Sequence, residues 1–378
     1  MRTAKHVGSL LSGLAGVAVV LCGLGCAAFH SLSPDEHAMF YPCAGYRDPD
    51  RGGWVVFVRG WVYEDSWFSR NLSFLGDVLD VDDLVPDPKE RKVLRERLRP
   101  FLVDNESHKT LDIYIGEARY RLKPTGESGH VSDRILVTDE QVRGQGALPN
   151  GRAGRLAYRV ATWPSKDRVV TGEVFLLENQ GLSIVSDIDD TIRITEVNHT
   201  KRMLRSTFLR PFVPVPGMAE VYAAWAAEHG AEFHYLSAAP CQLYEPIAAF
   251  LREHGFPEGS MRLKSIKREG GVMGVILGLF EAPRSFKRQG LTDLMRAVPG
   301  RRFVLIGDSA QEDPEIYADI ARDFPELVER ILIRNVTCEG REAPRYQEAF
   351  RDLPPESWVI FDEAEEIRDL DLIRDVSR

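Results

Sequence analysis

The chain has 378 residues, of which 44% are hydrophobic and 28% are charged, and its formal net charge is −9 at pH 7. These are the proportions of a globular protein of about two domains, and they exclude a wholly disordered or collagen-like chain. The acidic balance, without an extended basic block, also argues against nucleic acid as a partner.

Residues 1–30 are predicted to be a signal or membrane-anchor segment. Arg2 and Lys5 give a positively charged start, and no charged residue occurs from Val7 to Phe29. A run of this length can span a bilayer and is at the upper limit for the apolar part of a signal peptide. The stretch from Gly23 to Cys26 resembles a lipoprotein cleavage box. A membrane anchor, a lipoprotein signal and a cleaved signal peptide stay open, and each predicts a membrane-associated or exported protein.

Residues 31–50 contain three prolines and are predicted to be an irregular linker. Residues 51–178 are predicted to form a small β-rich domain that resembles a β-sandwich, because strand-like runs are separated by Gly, Pro and Asp turns. The predicted strands are Trp54–Tyr63, Leu111–Leu122, Ile135–Thr138, Leu156–Trp163 and Val170–Leu177. One amphipathic helix is predicted over Asp87–Asp104, and no catalytic constellation is found in this domain.

Residues 179–378 show a different pattern, in which short continuous apolar runs alternate with helical patterns. The predicted strands are Leu182–Ser186, Phe233–Leu236, Phe303–Ile306, Ile331–Ile333 and Trp358–Phe361. The predicted helices are Met218–Glu228, Pro246–His254, Leu291–Val298, Pro314–Asp323 and Pro344–Phe350. Continuous apolar strands between helices predict an α/β domain with a parallel sheet covered on both faces. Ligands of such sheets bind at the carboxyl ends of the strands.

Acidic side chains follow the first of these strands. Ser186 is followed by Asp187-Ile188-Asp189-Asp190-Thr191. Because alternate residues of an extended chain point to the same side, Asp187 and Asp189 are predicted to face one point, where two carboxylates require a cation or a shared proton. A hard divalent ion such as Mg²⁺ suits them. A turn or a helix N-cap is the alternative explanation of the same residues.

Further polar groups stand at the ends of later strands. Ser237 follows the second strand, Asp308 follows Gly307 at the end of the third, and Asp313 lies just beyond it. Lys287 precedes the predicted helix Leu291–Val298. Taken singly, Ser237 is explained as a helix cap and Lys287 as a solvated residue at a helix start.

Taken in order, these residues resemble the four motifs of the haloacid dehalogenase superfamily of phosphohydrolases, over roughly residues 180–365. A narrower resemblance is to the catalytic domain of phosphatidate phosphatases of the actin-patch-protein type. It is carried by Asp187-Ile188-Asp189-Asp190-Thr191-Ile192, Pro214-Val215-Pro216-Gly217-Met218, Gln242-Leu243-Tyr244, and Gly307-Asp308-Ser309 with Asp313-Pro314-Glu315-Ile316-Tyr317. The ordered set is specific, whereas no single phrase is. The resemblance implies a Rossmann-like haloacid dehalogenase fold with a minimal cap.

The resemblance also implies the roles of individual residues in a Mg²⁺-dependent phosphatase. Asp187 is the nucleophile that forms an aspartyl-phosphate, and Asp189 is the acid that protonates the leaving alkoxide and then deprotonates water. Lys287 neutralises charge between the nucleophile and the phosphate. Thr191 and Ser237 hydrogen-bond the loop and a phosphoryl oxygen. The implied Mg²⁺ ligands are Asp187, the backbone carbonyl of Asp189 and Asp308, with Asp313 as an outer-shell or alternative acid.

Phosphatidate is the substrate that the resemblance implies, with diacylglycerol and phosphate as products. The connection from Ile192 to Pro216 holds about one predicted helix and mixes basic with apolar side chains. Such a mixture suits an anionic lipid surface, or a helix packed on the domain with its charges in water. The basic residues are Lys201, Arg202, Arg205 and Arg210. The alternatives are a phosphatase for soluble phosphomonoesters, a phosphotransferase, and a membrane-tethered binding protein with a vestigial phosphatase domain.

Overall fold

The structure is a computed structural model that describes residues 30–48, 50–70, 85–145, 154–164, 167–265 and 284–373. Within these residues the chain forms two β-sheets, one from residues 36–177 and the other from residues 182–361. The predicted signal or anchor segment, except for His30, lies outside the described residues. Among the residues that are described, no helix is both long enough and apolar enough to cross a membrane.

The first sheet contains the strands that the structure describes in the N-terminal part. They are β1 (Glu36–Tyr41), β2 (Cys43–Asp48), β3 (Gly53–Glu64), β4 (Asp104–Asn105), β5 (Asp112–Ile115), β6 (Ala118–Arg121), β7 (His130–Thr138), β8 (Gly154–Val160) and β9 (Thr171–Leu177). Hydrogen bonds join them in the order β1-β3-β2-β9-β8-β5-β6, with β4 and β7 also paired to β3. This is one branched sheet, whereas the predicted β-sandwich would have two separate sheets.

Two of these strands lie in residues 31–50, which are predicted to be a linker. That interpretation is wrong, because β1 and β2 both pair with β3 and bury apolar side chains such as Met39 and Phe40. Pro34 precedes β1, and Pro42 stands between β1 and β2. At those positions proline removes no hydrogen bond from the ladder, so the prolines mark strand ends and not an irregular chain.

The helices described in the N-terminal part are α1 (Trp67–Arg70), α2 (Pro88–Leu98) and α3 (Asp139–Gly144). Asp87 caps α2 by accepting a hydrogen bond from the backbone N–H of Lys89. The helix is shorter than the predicted Asp87–Asp104, because Pro100 has no N–H to continue the ladder, and a 3₁₀ turn follows.

The second sheet is wholly parallel. Its strands are β10 (Leu182–Ser186), β11 (Glu232–Pro240), β12 (Gly259–Lys264), β13 (Arg302–Asp308), β14 (Val328–Arg334) and β15 (Trp358–Phe361). Their spatial order is β12-β11-β10-β13-β14-β15. Relative to their order in the chain this is 3-2-1-4-5-6, the order of a doubly wound sheet, and it reverses between β10 and β13.

Helices cover both faces of this sheet. They are α4 (Thr200–Phe208), α5 (Met218–His229), α6 (Tyr244–Glu253), α7 (Arg284–Ala297), α8 (Asp313–Asp323), α9 (Pro344–Ala349) and α10 (Glu365–Arg368). Along β10, Ile184 packs in one apolar cluster and Val185 in another, on opposite faces. The predicted α/β sheet with two buried faces is therefore confirmed.

The two sheets are in direct contact. The backbone N–H of Met261, on β12, donates to the carbonyl of Pro42 at 2.7 Å. Nε2 of His130, on β7, lies 2.9 Å from Sγ of Cys241. An apolar cluster crosses the same contact and contains Met39, Tyr41, Trp61, Val103 and Cys241. The N-terminal sheet is therefore packed on the parallel sheet through buried groups.

Candidate active site

The loop after β10 carries the first two predicted catalytic acids to the carboxyl edge of the parallel sheet. Asp190 holds the loop, because its carboxylate accepts hydrogen bonds of 2.7 to 2.8 Å from the three successive backbone N–H groups of residues 195–197. Asp190 has a φ of 54°, in the left-handed region that Asp and Asn adopt more readily than most residues. Asp190 thus shapes the loop that carries the candidate catalytic residues Asp187 and Asp189.

Three carboxylates meet at this edge. One oxygen each of Asp187, Asp308 and Asp313 lies within 4.8 Å of the other two, and all three residues are at most 1% exposed. Asp187 follows β10, Asp308 ends β13 and Asp313 begins α8. They flank the point where the strand order reverses, which is where ligands bind in sheets of this type. We call these three residues the acidic cluster.

Lys287 reaches the acidic cluster from α7. Its Nζ lies 3.3 Å from Oδ2 of Asp187 and 2.5 Å from Oδ1 of Asp313. The side chain is buried, in contrast to the solvated residue that is the usual lysine at a helix start. The predicted residues Asp187, Lys287, Asp308 and Asp313 are therefore brought together.

Gly307 makes room for this arrangement. A Cβ atom at position 307 would lie 2.3 Å from Oδ2 of Asp313, closer than atoms in contact can come. The backbone N–H of Asp308 donates to the same oxygen at 3.3 Å. The glycine before Asp308 is therefore needed for the Asp313 side chain to approach the end of β13.

Burial sets the electrostatics of the acidic cluster. Burial raises the pKa of Asp187 well above its ordinary value, although the charge of Lys287 opposes it. Burial and then Asp313 raise the pKa of Asp308 to about 7. Burial on its own would lower the pKa of Lys287, but the surrounding carboxylates outweigh it and raise that pKa. Three carboxylates around one ammonium group leave an excess of negative charge, which a cation would relieve.

The acidic cluster fits a divalent metal ion. Among the described residues, Oδ2 of Asp187 and Oδ2 of Asp308 accept no hydrogen bond. Oδ1 of Asp308, in contrast, accepts two, from the backbone N–H groups of Ala310 at 2.6 Å and of Gln311 at 3.2 Å. A buried carboxylate oxygen is costly when nothing satisfies it. A donor set made only of carboxylate oxygens suits a hard ion such as Mg²⁺.

Asp189 is held by partners of its own, outside the acidic cluster. Its Oδ1 accepts hydrogen bonds from Nε and Nη2 of Arg193, the first at 3.1 Å, and from Oγ1 of Thr195 at 2.7 Å. Its Oδ2 accepts one from Oγ of Ser237 at 3.2 Å. Burial would raise the pKa of Asp189, but the charge of Arg193 and these hydrogen bonds lower it overall.

The spacing predicts that Asp187 and Asp189 face one point. In the structure their carboxylates have different partners, so this prediction is wrong. The alternation rule holds for extended chain, and β10 ends at Ser186, before either residue. The roles of Asp189 as an acid and as a metal ligand through its carbonyl stay predictions.

The two predicted hydroxyl residues differ in their contacts. Ser237 binds Asp189 as described, and its Oγ also accepts a hydrogen bond from the backbone N–H of Ala239 at 3.0 Å. The hydroxyl of Thr191 is buried and has no hydrogen-bond partner in the described part of the chain. Contact of either hydroxyl with a phosphoryl oxygen stays a prediction.

Arg193 and Thr195 are the site residues that sequence reasoning missed. They follow Asp189 in a stretch without a strand or helix pattern, so spacing gave no information about where their side chains lie. The one available signal was an arginine inside the apolar run Ile192-Arg193-Ile194. The side chain of Arg193 is only 2% exposed, and a buried arginine of this kind requires a partner.

A cavity of about 180 Å³ adjoins Asp189. Polar and apolar residues both line it, the apolar ones coming largely from α4, from the end of β11 and from the turn that follows β11. The polar residues include Asp189, Arg193 and Thr195, and the apolar ones include Met203, Phe208 and Leu243. A ligand in this cavity would meet both hydrogen-bonding groups and hydrocarbon.

The basic side chains of the Ile192–Pro216 connection are mostly paired with acids. Nη1 of Arg202 lies 2.9 Å from Glu196, and Arg205 and Arg210 lie 3.5 and 3.4 Å from Glu90 on α2. These observations favour the alternative in which α4 packs on the domain. They leave contact with a lipid surface as a prediction.

A buried acidic cluster with a lysine, at the switch point of a doubly wound sheet, defines a candidate active centre of an α/β enzyme. Residues 182–335 match the family described as "Phosphatidate phosphatase APP1, catalytic domain". This part of the chain is similar to that domain family, and the narrower resemblance drawn from the motifs is confirmed.

Two curated proteins are similar to the chain. An uncharacterized protein of Schizosaccharomyces pombe is 32% identical over 182 residues, which cover 46% of this chain and 29% of that protein. The protein named phosphatidate phosphatase APP1 of Saccharomyces cerevisiae is 28% identical over 171 residues, which cover 44% of this chain and 28% of that protein. The chain thus spans less than a third of the length of these relatives.

Among solved structures, one described as "Structure of Pnkp1/Rnl/Hen1 complex" is similar over 39% of this chain and 44% of that chain, at 11% identity and a TM-score of 0.30. A similarity of that size supports no assignment of fold. The match to the phosphatidate phosphatase family supports a phosphatase function, and the haloacid dehalogenase fold stays a prediction.

Proposed function

We propose that the chain is a Mg²⁺-dependent phosphomonoester hydrolase with a haloacid dehalogenase-type catalytic domain, and that its substrate is phosphatidate. The observation that carries this proposal is the buried cluster of Asp187, Asp308 and Asp313 around Nζ of Lys287. It lies within the residues that match the phosphatidate phosphatase family. The products are diacylglycerol and inorganic phosphate.

In the first step, a carboxylate oxygen of Asp187 attacks the phosphorus atom and the bond from phosphorus to the alkoxide oxygen breaks. The carboxyl group of Asp189 gives its proton to the leaving alkoxide. The product of this step is an aspartyl-phosphate on Asp187 and a free alcohol. Arg193 keeps the pKa of Asp189 low, but an approaching phosphate dianion disfavours a second negative charge and so favours the protonated form.

In the second step, water attacks the phosphorus atom of the aspartyl-phosphate. The ionised carboxylate of Asp189 takes a proton from that water, and the bond from phosphorus to the Asp187 oxygen breaks. Inorganic phosphate leaves, and both aspartates return to their starting states. The hydrogen bonds from Arg193 and Thr195 favour the ionised form of Asp189 that this step needs.

Positive charge is supplied by Lys287 and by the metal ion. Lys287 offsets the charge of the nucleophile and of the bound phosphate, since its ammonium group already lies 3.3 Å from Asp187. The residues that would hold Mg²⁺ are Asp187, the carbonyl of Asp189, and Asp308, with Asp313 as an outer or alternative ligand. When bound, the ion stabilises negative charge that develops on the phosphoryl oxygens. Ser237 and Thr191 would hydrogen-bond the loop and a phosphoryl oxygen.

A lipid substrate is supported by the cavity beside Asp189. Its apolar wall at Met203, Phe208 and Leu243 suits the hydrocarbon part of an ester whose phosphate faces the acids. The curated relative that bears the name phosphatidate phosphatase supports the same assignment. Soluble phosphomonoesters are the second class of substrate that the chemistry of the acids would accept.

We also propose that residues 1–30 attach the protein to a membrane or direct its export. This rests on the uncharged stretch from Val7 to Phe29. Cells that produce the full chain and cells that produce a chain without residues 1–30 would be fractionated. Recovery of the full chain with membranes or outside the cytoplasm supports the proposal, and an equal share of both chains in the soluble fraction contradicts it.

The activity is tested by release of inorganic phosphate from phosphatidate in mixed micelles and from 4-nitrophenyl phosphate, each with Mg²⁺ or with EDTA. We expect Mg²⁺-dependent release from phosphatidate. Release from the aryl ester alone would reject the lipid assignment in favour of a soluble ester. Addition of a short alcohol, with loss of free phosphate and formation of its phosphate ester, would identify a phosphotransferase.

A vestigial site gives a different result in the same assay. Metal-dependent release from neither ester, or equal release by the wild type and by Asp187→Asn, would contradict the enzyme and leave a tethered binding protein. Circular dichroism of both proteins checks that the variant is folded.

A further inference from the structure

Helix α2 comes from the N-terminal part of the chain, yet it packs beside the candidate active site. Leu94 and Leu98 of α2, with Phe101 of the turn that follows, belong to the apolar cluster on one face of the parallel sheet. Glu90 of the same helix forms ion pairs with Arg205 on α4 and with Arg210 just beyond the end of α4. Helix α2 therefore contacts the C-terminal part of the chain through several side chains, both apolar and charged.

Arg97 of α2 contacts the segment that borders the site. Its Nη1 donates hydrogen bonds to the carbonyl oxygens of Thr207, at 2.5 Å, and of Arg210, at 2.8 Å. These carbonyls lie at and just beyond the C-terminus of α4, where the last carbonyls of a helix have no partner within the helix and favour a cation. Arg97 therefore caps the helix that lines the cavity.

Arg97 also shares an aromatic ring with Arg193. The guanidinium carbon of Arg97 lies 3.8 Å from the centre of the Phe212 ring, and that of Arg193 lies 4.0 Å from the same centre. A guanidinium group stacks favourably on an aromatic face. Phe212 thus connects a cation of the N-terminal part to the cation that holds Asp189.

Within the described residues, the hydrogen bonds of the Arg193 guanidinium group go to one partner, Asp189. Its Nε and Nη2 bind Oδ1 of Asp189, whereas Nη1 is buried without a hydrogen-bond partner among the described residues. Stacking on Phe212 is therefore a contact that supports the guanidinium group where hydrogen bonds do not. If Phe212 moves, the hydrogen bonds that orient the Asp189 carboxylate move with it.

We propose that Arg97 is a positioning residue for Asp189, acting through Phe212 and Arg193, so that helix α2 of the N-terminal part completes the active site. This proposal rests on the proposed function, because it assigns Arg97 to the step in which Asp189 protonates the leaving alcohol. It gives the N-terminal part a role in catalysis for which the sequence alone offers no residue.

The effect of Arg97 should depend on the leaving group. Departure of an alkoxide needs a proton from a well-placed acid, whereas departure of 4-nitrophenolate needs it far less. A positioned acid contributes about 10²- to 10⁴-fold, and misplacement forfeits part of this. For Arg97→Met we expect kcat/KM to fall about 10-fold on dioctanoyl phosphatidate, a soluble alkyl ester, and by less than about 3-fold on 4-nitrophenyl phosphate.

A matched control variant is Arg95→Met, which makes the same change at an exposed position of α2. It should leave both kcat/KM values near those of the wild type. Urea unfolding of each variant identifies any loss of folded protein at the assay temperature. Arg97→Lys keeps the charge, and we expect it to recover part of the alkyl-ester activity.

Coupling between Arg97 and Phe212 gives a second, independent reading. If both act along one route to Arg193, the double variant Arg97→Met, Phe212→Leu should lose little more phosphatidate activity than the worse of the two single variants. Multiplicative losses would overturn the proposal. Equal losses on the alkyl and aryl esters, with active wild type, would also overturn it. A wild type that hydrolyses neither ester would contradict the proposed function itself.

Discussion

Nζ of Lys287 lies 3.3 Å from Oδ2 of Asp187, although one residue belongs to α7 and the other to the loop after β10. Both side chains are at most 4% exposed. The electrostatic interaction within an ion pair at that depth is strong, since little water screens the charges. The pair joins the candidate nucleophile to the cation that would meet an incoming phosphate, and three of the predictions below start from this centre.

Substitution Asp187→Asn should abolish turnover without preventing substrate binding. The amide is nearly isosteric but is a poor nucleophile, so we expect kcat to fall by roughly 10³-fold or more. The measurement is release of phosphate from phosphatidate micelles with Mg²⁺, alongside binding of the variant to the same micelles. A variant that keeps a tenth of the wild-type kcat would exclude Asp187 as the nucleophile.

Substitution Lys287→Met should destabilise the metal-free protein. It removes the cation that is paired with Asp187 and Asp313 and leaves both carboxylates buried without it. Breaking a buried pair in this way costs about 3 kcal/mol or more. Urea unfolding in EDTA measures the change, and added Mg²⁺ should offset more of the loss in the variant than it adds to the wild type.

A control on the same helix is Arg284→Met. Arg284 pairs with Asp319 at 2.6 Å, but its side chain is 43% exposed, and exposed pairs contribute about 0 to 1 kcal/mol. Equal free energies of unfolding for Lys287→Met and Arg284→Met would show that Lys287 does not hold the buried acids together.

Substitution Asp308→Asn should weaken metal binding. It removes the charge of a carboxylate whose Oδ2 has no hydrogen-bond partner in the described residues, while its Oδ1 can still accept from Ala310. We expect the Mg²⁺ concentration for half-maximal activity to rise about 10-fold or more. A thermal-unfolding titration with Mg²⁺ gives a readout independent of turnover, and an unchanged midpoint concentration in both would contradict metal ligation by Asp308.

Acid should destabilise the protein through His234, which lies away from the acidic cluster. Its Nδ1 and Nε2 lie 2.7 and 3.1 Å from the hydroxyls of Ser260 and Ser183. Burial, and then the charge of Arg301, lower the pKa of His234 to about 3. His234 binds a proton near pH 6.5 in the unfolded chain but stays neutral at that pH in the folded chain. The contribution of neutral His234 to the free energy of unfolding is therefore fully present above pH 6.5 and declines as the pH falls toward 3.

The free energy of unfolding should therefore fall by about 2 kcal/mol more for the wild type than for His234→Asn between pH 7.5 and pH 5.0. Urea unfolding at the two pH values measures it, and the difference between the proteins removes the contribution of other titrating groups. A loss of the same size in both proteins would mean that His234 is protonated in the folded state.

Much of the parallel sheet could be predicted because continuous apolar runs are unambiguous when helical patterns separate them. Leu182–Ser186 and Trp358–Phe361 are strands with the predicted bounds. The prolines of residues 31–50 led to the wrong prediction of a linker, because proline occurs both in irregular chain and at the ends of strands. Leu111–Leu122 is a hairpin of β5 and β6, since Gly116 adopts a φ of 57° in the turn between them.

For the site, sequence order was enough to select the members of the acidic cluster, because strand ends of a parallel sheet share an edge. Sequence order did not predict the orientation of the Asp189 side chain. Arg193 sets that orientation from a loop that has no strand or helix periodicity. Nor could sequence order relate Arg97 to Phe212, since that contact depends on how two separately predicted parts of the chain pack.

The most direct test of the central claim is a crystal structure of the protein with Mg²⁺ and beryllofluoride, which mimics a phosphoryl group on a carboxylate. We predict beryllofluoride bound to an oxygen of Asp187, an ion ligated by Asp187 and Asp308, and Nζ of Lys287 within hydrogen-bond distance of a fluorine atom. Beryllofluoride bound elsewhere, or an ion that contacts neither Asp187 nor Asp308, would contradict the account.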